Sequence, residues 1–254
     1  MLFWIKLFVT PSLIGLITLA IRRWGASVGG LLSGLPVVAG PISLFLALEN
    51  GIDFAANAAI GSLMGAVGIG SFCLTYVNLS LRKYHWGWCL FAAYLANIST
   101  LFMLSFLPSN LYLATLLVVS VTLFSLWIFP NLPQKLPTRK IPKFDIPIRM
   151  IVAGLFVIGL VQISNFLGSR WSGLLTPFPI LTPILAVFTH IQQGAESSAA
   201  ALRGLILGSF GFIVFFFLIG FLLPMMTLTT AYTIAISIGV VVNLSIIKVA
   251  QIKK

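Results

Sequence analysis

The chain is predicted to be an all-α integral membrane protein of about nine transmembrane helices, built as an inverted repeat with two proline-broken helices. Composition, an internal duplication and the sidedness of its cations predict this. Of its 254 residues, 59% are hydrophobic and 7% charged, with a mean hydropathy of +1.12, far from the roughly 25% charged residues of soluble domains. Its apolar runs of about 18 to 25 residues suit helices crossing roughly 30 Å of hydrocarbon. They are too long for barrel strands and lack alternation, so helices are the way to satisfy the backbone in lipid.

The expected crossings are residues 2–21, 28–48, 54–79, 86–106, 110–129, 147–166, 172–191, 198–223 and 226–250. The first carries Lys6 and is followed by Arg22 and Arg23 rather than a small-residue cleavage site, which reads as a retained helix. Residues 29–68 and 172–211 align without gaps at an offset of 143. Gly30, Pro36, Gly51, Asp53, Gly61, Gly65 and Gly68 fall on Gly173, Pro179, Gly194, Glu196, Gly204, Gly208 and Gly211, and eleven of the forty pairs are identical.

Charge fixes the expected topology. With nine crossings, thirteen cations collect on one side (Arg22, Arg23, Arg82, Lys83, Lys135, Arg139, Lys140, Lys143, Arg149, Arg203, Lys248, Lys253 and Lys254) and only Lys6 and Arg170 on the other. If the two proline-broken segments turned back as re-entrant hairpins, the split would be eight to seven and the orienting bias would vanish. The N-terminus is therefore expected outside and the C-terminus in the cytoplasm. An offset spanning five crossings makes the second copy enter upside down. Residues 1–109 form the first repeat, 110–145 a linking helix and basic cytoplasmic linker, and 146–254 the second, inverted repeat. This is the plan of secondary transporters, whose interrupted helices meet near the midplane.

The interruptions carry the chemistry. Pro36 and Pro41 in the first segment, and Pro177, Pro179 and Pro183 in the second, each remove a backbone donor and disfavour helix in the residue before. Thr182-Pro183 resembles a cap followed by proline at the first helical position, with Gly40-Pro41 in the equivalent place, so a half-helix is expected to start at each. Such termini present N–H groups and positive dipole ends to an anion, making Pro36, Gly40, Pro41, Pro179, Thr182 and Pro183 the expected substrate-binding set. The freed carbonyls offer an alternative, a cation or proton relay. The bland reading is a kink satisfied by neighbouring helices and water.

Glu49, Asp53 and Glu196, with Arg203, are the candidate coupling or gating groups, because ionisable residues beside a membrane pathway are usually functional. Against this, Asp53 and Glu196 suit helix starts, complementing the dipole, and Arg203 can snorkel to the cytoplasmic surface. The ladders Gly61-x3-Gly65-x2-Gly68 and Gly204-x3-Gly208-x2-Gly211 are expected to pack across the pseudo-two-fold axis or against the broken segments. Asn57, Asn78, Asn97 and Asn243 read as interhelical bonds. Cys73, Cys89, His85 and His190 are too scattered for a metal site, and no nucleophile elbow, P-loop or dinucleotide fingerprint is present. No catalytic residue, metal or cofactor is assigned, and an enzyme acting on a lipid intermediate is disfavoured. The net charge of +11 belongs to cytoplasmic loops, whose partners are anionic lipid headgroups rather than nucleic acid.

The runs Gly30-Leu31-Leu32 through Leu35-Pro36 to Gly51-x-Asp53, and Gly173-Leu174-Leu175 through Phe178-Pro179 to Gly194-x-Glu196, resemble the signature of the GlpM-like family of bacterial inner-membrane proteins. The likeness covers about forty residues in each half. Members carry one such unit, so this chain looks like two fused units with a helix between. The resemblance implies a bacterial inner-membrane location, an association with exopolysaccharide production, and a second copy as an allowed partner; it names no substrate. The function expected is transport of a small or lipid-linked anionic solute by alternating access, with an envelope-assembly scaffold as the competing reading.

Overall fold

A computed structural model describes residues 12, 15–36, 39–133, 144–155 and 181–252, and its secondary structure is helical throughout these residues. The elements are α1 (15–24), α2 (Ala26–Ser33), α3 (Ala39–Asn50), α4 (Ile52–Leu81), α5 (Trp86–Leu104), α6 (Leu111–Trp127), α7 (145–155), α8 (Leu181–Gln193), α9 (Ala195–Leu222) and α10 (Leu228–Ile252). Four of them are long and apolar enough to cross a membrane: α4, α5, α9 and the stretch Leu228–Ile246 of α10. At 17 residues, α6 is shorter.

The expected crossing 28–48 is divided. α2 stops at Ser33, Gly34 to Pro36 turn, and a new helix starts at Ala39. That start is one residue before Gly40-Pro41 and falls on Thr182 at the repeat offset. Pro41 thus sits in the first turn of α3, where a missing N–H costs nothing. In the second copy, Thr182 and Pro183 lie in the first turn of α8, whereas Pro177 and Pro179 lie outside the described residues.

The short helices meet the long ones at single glycines. Gly51 joins α3 to α4 at φ 90°, ψ 171°, and Gly194 joins α8 to α9 at φ 95°, ψ 169°. Each glycine donates back into the first helix, to Ala47 and His190 at 3.1 and 3.0 Å, and its carbonyl accepts the next helix's bond, from Ala55 and Ser198 at 3.3 and 3.1 Å. Both ladders therefore continue through the corner. Gly25 makes the same corner between α1 and α2, at φ 90° and ψ 168°. This backbone region is open essentially to glycine alone and costs other residues about 1–3 kcal/mol. A Cβ at Gly51 or Gly194 would have nothing within 4 Å, so the penalty there is conformational. Gly51→Ala and Gly194→Ala are each expected to cost about 1–3 kcal/mol in thermal unfolding of the purified chain. Gly61→Ala, on an exposed helical position with equal space, should be neutral or gain up to about 1 kcal/mol. Equal melting of all three would remove the corner's significance.

α9 is the hub, packing on α2, α4, α6, α8 and α10, while α4 also holds α3, α5 and α6. The buried side chains form two main clusters. One unites Phe72, Tyr76 and Val77 of α4 with Leu202, Leu205 and Ile206 of α9; the other unites Ala59, Leu63 and Val67 with Phe215, Phe216 and Ile219. The late part of α4 thus meets the early part of α9, and the reverse, so the two lie antiparallel.

Where neighbouring surfaces are as apolar as lipid, close approach of backbones supplies the association. The second glycine ladder does this against α2: Gly204 faces the backbone of Ser27 and Leu31, Gly208 that of Leu31 and Gly34, and Gly30 faces Ala201 in return. The packing of this ladder on the first broken segment is as the pattern predicted. At the third rung, Gly68 faces the amide of Asn97 and Gly211 that of Asn243, each at 2.8 Å from a would-be Cβ. Asn243 donates between helices to the Gly208 carbonyl at 3.0 Å, whereas Asn57 and Asn78 bond back within their own helix to Asp53 and Leu74.

Candidate functional site

The helix ends that carry arginine converge at one end of the bundle. Asp145 opens α7, and the i,i+4 spacing brings Arg149 onto the same face, where its Nε donates to Asp145 Oδ1 at 2.7 Å. From α8, Gln192 closes the ring: its amide nitrogen donates to the same carboxylate oxygen, while its carbonyl accepts from Arg149 Nη2 at 3.2 Å. The Phe188 ring lies 5.1 Å from Arg149 Cζ. Arg22, in the last turn of α1, reaches Asp145 Oδ2 at 3.8 Å. The Asp145 and Arg149 side chains are 0% and 1% exposed. Burying such a pair is tolerable because the amide bridges both partners as they leave water, with Asp145 Oδ2 left to the longer contact from Arg22. With one carboxylate against two guanidiniums, the cluster repels metal cations and favours anions.

The same end holds a second polar junction. The Tyr76 hydroxyl lies 3.1 Å from His190 Nδ1, tying α4 to α8. At the other end the buried Ser43 and Tyr232 hydroxyls share a 2.7 Å bond between α3 and α10.

The expected binding residues take no part in these junctions and do not form one wall. Pro36 is half-buried in the turn after α2, Gly40 is buried, and Pro41 is exposed. Thr182 and Pro183 are buried, and Pro179 lies outside the described residues. α3 packs on α4 and α8 on α9, and α2 makes the main contact of the first segment with α8.

The expected gating residues stand apart from the cluster. Glu49, Asp53, Glu196 and Arg203 are exposed, and the three carboxylates make no ion pair with a described residue. Asp53 and Glu196 occupy the first turns of α4 and α9, but Gly51 and Gly194 hold the cap position with no side-chain bond, leaving the acids as complements to the dipole. Arg203 Cζ lies 5.9 Å over the Phe129 ring, past the end of α6, the outward course of a snorkelling side chain.

No family model, curated protein or solved structure matches the chain. The buried charge cluster is not among the features expected from sequence, where Asp145 ends the linker and Arg149 marks topology. An acid four residues before a base at a helix start was the available signal.

Proposed function

We propose that the protein is an inverted-repeat carrier, moving a small or lipid-linked anionic solute by alternating access between the broken segments. The observation that carries this is the matched pair of units, α3–Gly51–α4 and α8–Gly194–α9, whose corners share one backbone geometry at the same repeat position. The antiparallel run of α4 and α9 supports the inversion. Arg22, Arg149 and Arg203, drawn by their contacts to one end with Asp145, Gln192 and Phe129, support a cytoplasmic location for that end, with the N-terminus outside and the C-terminus inside. A bacterial inner-membrane protein related to the GlpM-like family is the setting this fits. The cluster's excess positive charge favours an anionic solute over a cation.

A non-transporting assembly scaffold is the reading favoured by the tight α2–α9 contact. Cysteines at Gly40 and Thr182, in a chain lacking Cys73 and Cys89, separate the two. A Cβ at Gly40 would sit 3.5 Å from the Phe215 ring, an ordinary contact, and Thr182 is 3% exposed, so labelling of either requires the bundle to open. Transport predicts labelling by a membrane-impermeant maleimide from opposite faces in different states. Protection from both faces under every condition would leave the scaffold.

A further inference from the structure

A lateral groove runs between α1 and α2, with a volume of about 630 Å³, within the range of small-molecule sites and so enough for part of an amphiphile. Leu16, Leu19, Ala20, Leu32 and Leu35 form its apolar wall, and Arg22, Arg23 and Trp24 close one end. The Arg23 guanidinium lies 5.7 Å over the Trp24 ring, an aromatic and a cation at the level where headgroups meet water. The chain has four carboxylates. Asp145 is already shared between Arg22 and Arg149, and Glu49, Asp53 and Glu196 pair with no described residue. Arg22, Arg23 and Arg149 are thus served by one carboxylate, which touches the first and the last. The surplus of positive charge stands at the mouth of a hydrocarbon slot, an arrangement complementary to an amphiphile with an anionic head and an acyl tail.

We infer that the α1–α2 groove is a binding site for an anionic phospholipid, its acyl chain along Leu16, Leu19, Leu32 and Leu35 and its phosphate on Arg22 and Arg23. A zwitterionic lipid would bring its own cation to the arginines and lose the advantage. Gly25, at φ 90°, sets the corner that turns α2 back along α1 and so forms the slot. Because Arg22 also reaches Asp145, the bound phosphate touches the corner where α1, α7 and α8 meet. The site stands whether or not the chain transports, since it needs only the groove and its charge.

The test is native mass spectrometry of the full chain, purified from mild detergent supplemented with equal dioleoyl phosphatidic acid and dioleoyl phosphatidylcholine. Wild type should retain one phosphatidate in preference to phosphatidylcholine. At roughly fivefold for each arginine beside an anionic headgroup, Arg23→Gln should cut the preference about fivefold and Arg22→Gln with Arg23→Gln about thirtyfold. Arg23 makes no ion pair with a described residue, so the single variant keeps the test valid if the double variant fails to fold. Leu19→Trp, which fills the slot from an exposed position and leaves the arginines, should also reduce retention. Inorganic phosphate and glycerol 3-phosphate should displace nothing at concentrations matching the lipid. Equal retention of the two lipids by wild type, an unchanged preference in Arg23→Gln, unchanged retention in Leu19→Trp, or displacement by either soluble phosphate would each overturn the site.

Discussion

Replacing Gly204 and Gly208 together with alanine is expected to lower stability by about 2–4 kcal/mol, on the scale of overpacked cores. Alanine is the better helix former by about 0.5–1 kcal/mol at each position, so propensity alone predicts a gain. The contact decides otherwise. A Cβ on Gly204 would collide with the Ser27 carbonyl oxygen and lie 2.9 Å from Leu31 N; one on Gly208 would strike the Leu31 carbonyl oxygen and lie 3.1 Å from Gly34 Cα. These obstacles are backbone, which has no rotamer to rotate away, so α2 must withdraw as a unit. Withdrawal breaks the reciprocal fit of Gly30 against Ala201, and the two substitutions share that loss rather than adding independently. Thermal melting of the purified chain measures the effect, with Gly61→Ala as the alanine substitution that meets no neighbour. A double variant melting with wild type would show that α2 and α9 do not rely on backbone approach.

Much of this architecture was legible in the sequence because it is local or periodic. Pro36 and Pro41 located the interruption now seen between Ser33 and Ala39, and the repeat offset set Gly51 against Gly194. The second ladder identified a face that approaches another backbone, whereas in the first Gly61 is exposed with nothing beside it and Gly68 meets the side chains of Asn97 and Leu101. What escaped notice depends on distance in sequence or on register. The break near Gly25 is legible, since Arg22 and Arg23 end one apolar run at residue 21 and the next begins at 28, but no proline announces the corner geometry that this glycine adopts. Asn97 and Asn243 meet equivalent glycines, Gly68 and Gly211, yet stand 146 residues apart (243 less 97) instead of 143, so a rigid offset hides the pair. The cluster of Arg22, Asp145, Arg149 and Gln192 draws on three helices, and nothing in linear spacing brings Gln192 to Asp145 beyond the i,i+4 pair already on α7. Glu49, Asp53 and Glu196 drew attention as rare carboxylates, but helix ends leave them in the open, and the acid that became buried was the fourth.

That fourth carboxylate carries the other large expected effect. Asp145→Asn keeps the shape and one acceptor while removing the charge, leaving the Arg149 guanidinium buried without its counterion; the loss expected is about 3–5 kcal/mol, as for other broken buried pairs. Gln192 cannot compensate, since an amide carbonyl supplies a dipole where a full charge was. Removing the cation as well, in Asp145→Asn with Arg149→Met, should restore most of that stability, because the stranded charge causes most of the loss and a methionine fills a similar volume against the Phe188 ring. The order of the three proteins is therefore diagnostic: wild type and the double variant close together, the single variant well below. Salt supplies an independent check. An exposed pair weakens as ionic strength rises, whereas a pair with side chains 0% and 1% exposed is shielded from mobile ions, so the gap between wild type and Asp145→Asn should stay the same in low and high salt. A gap that closes in high salt would mean that solvent reaches the pair, and the corner would then be a surface contact rather than a buried tie between α7 and α8.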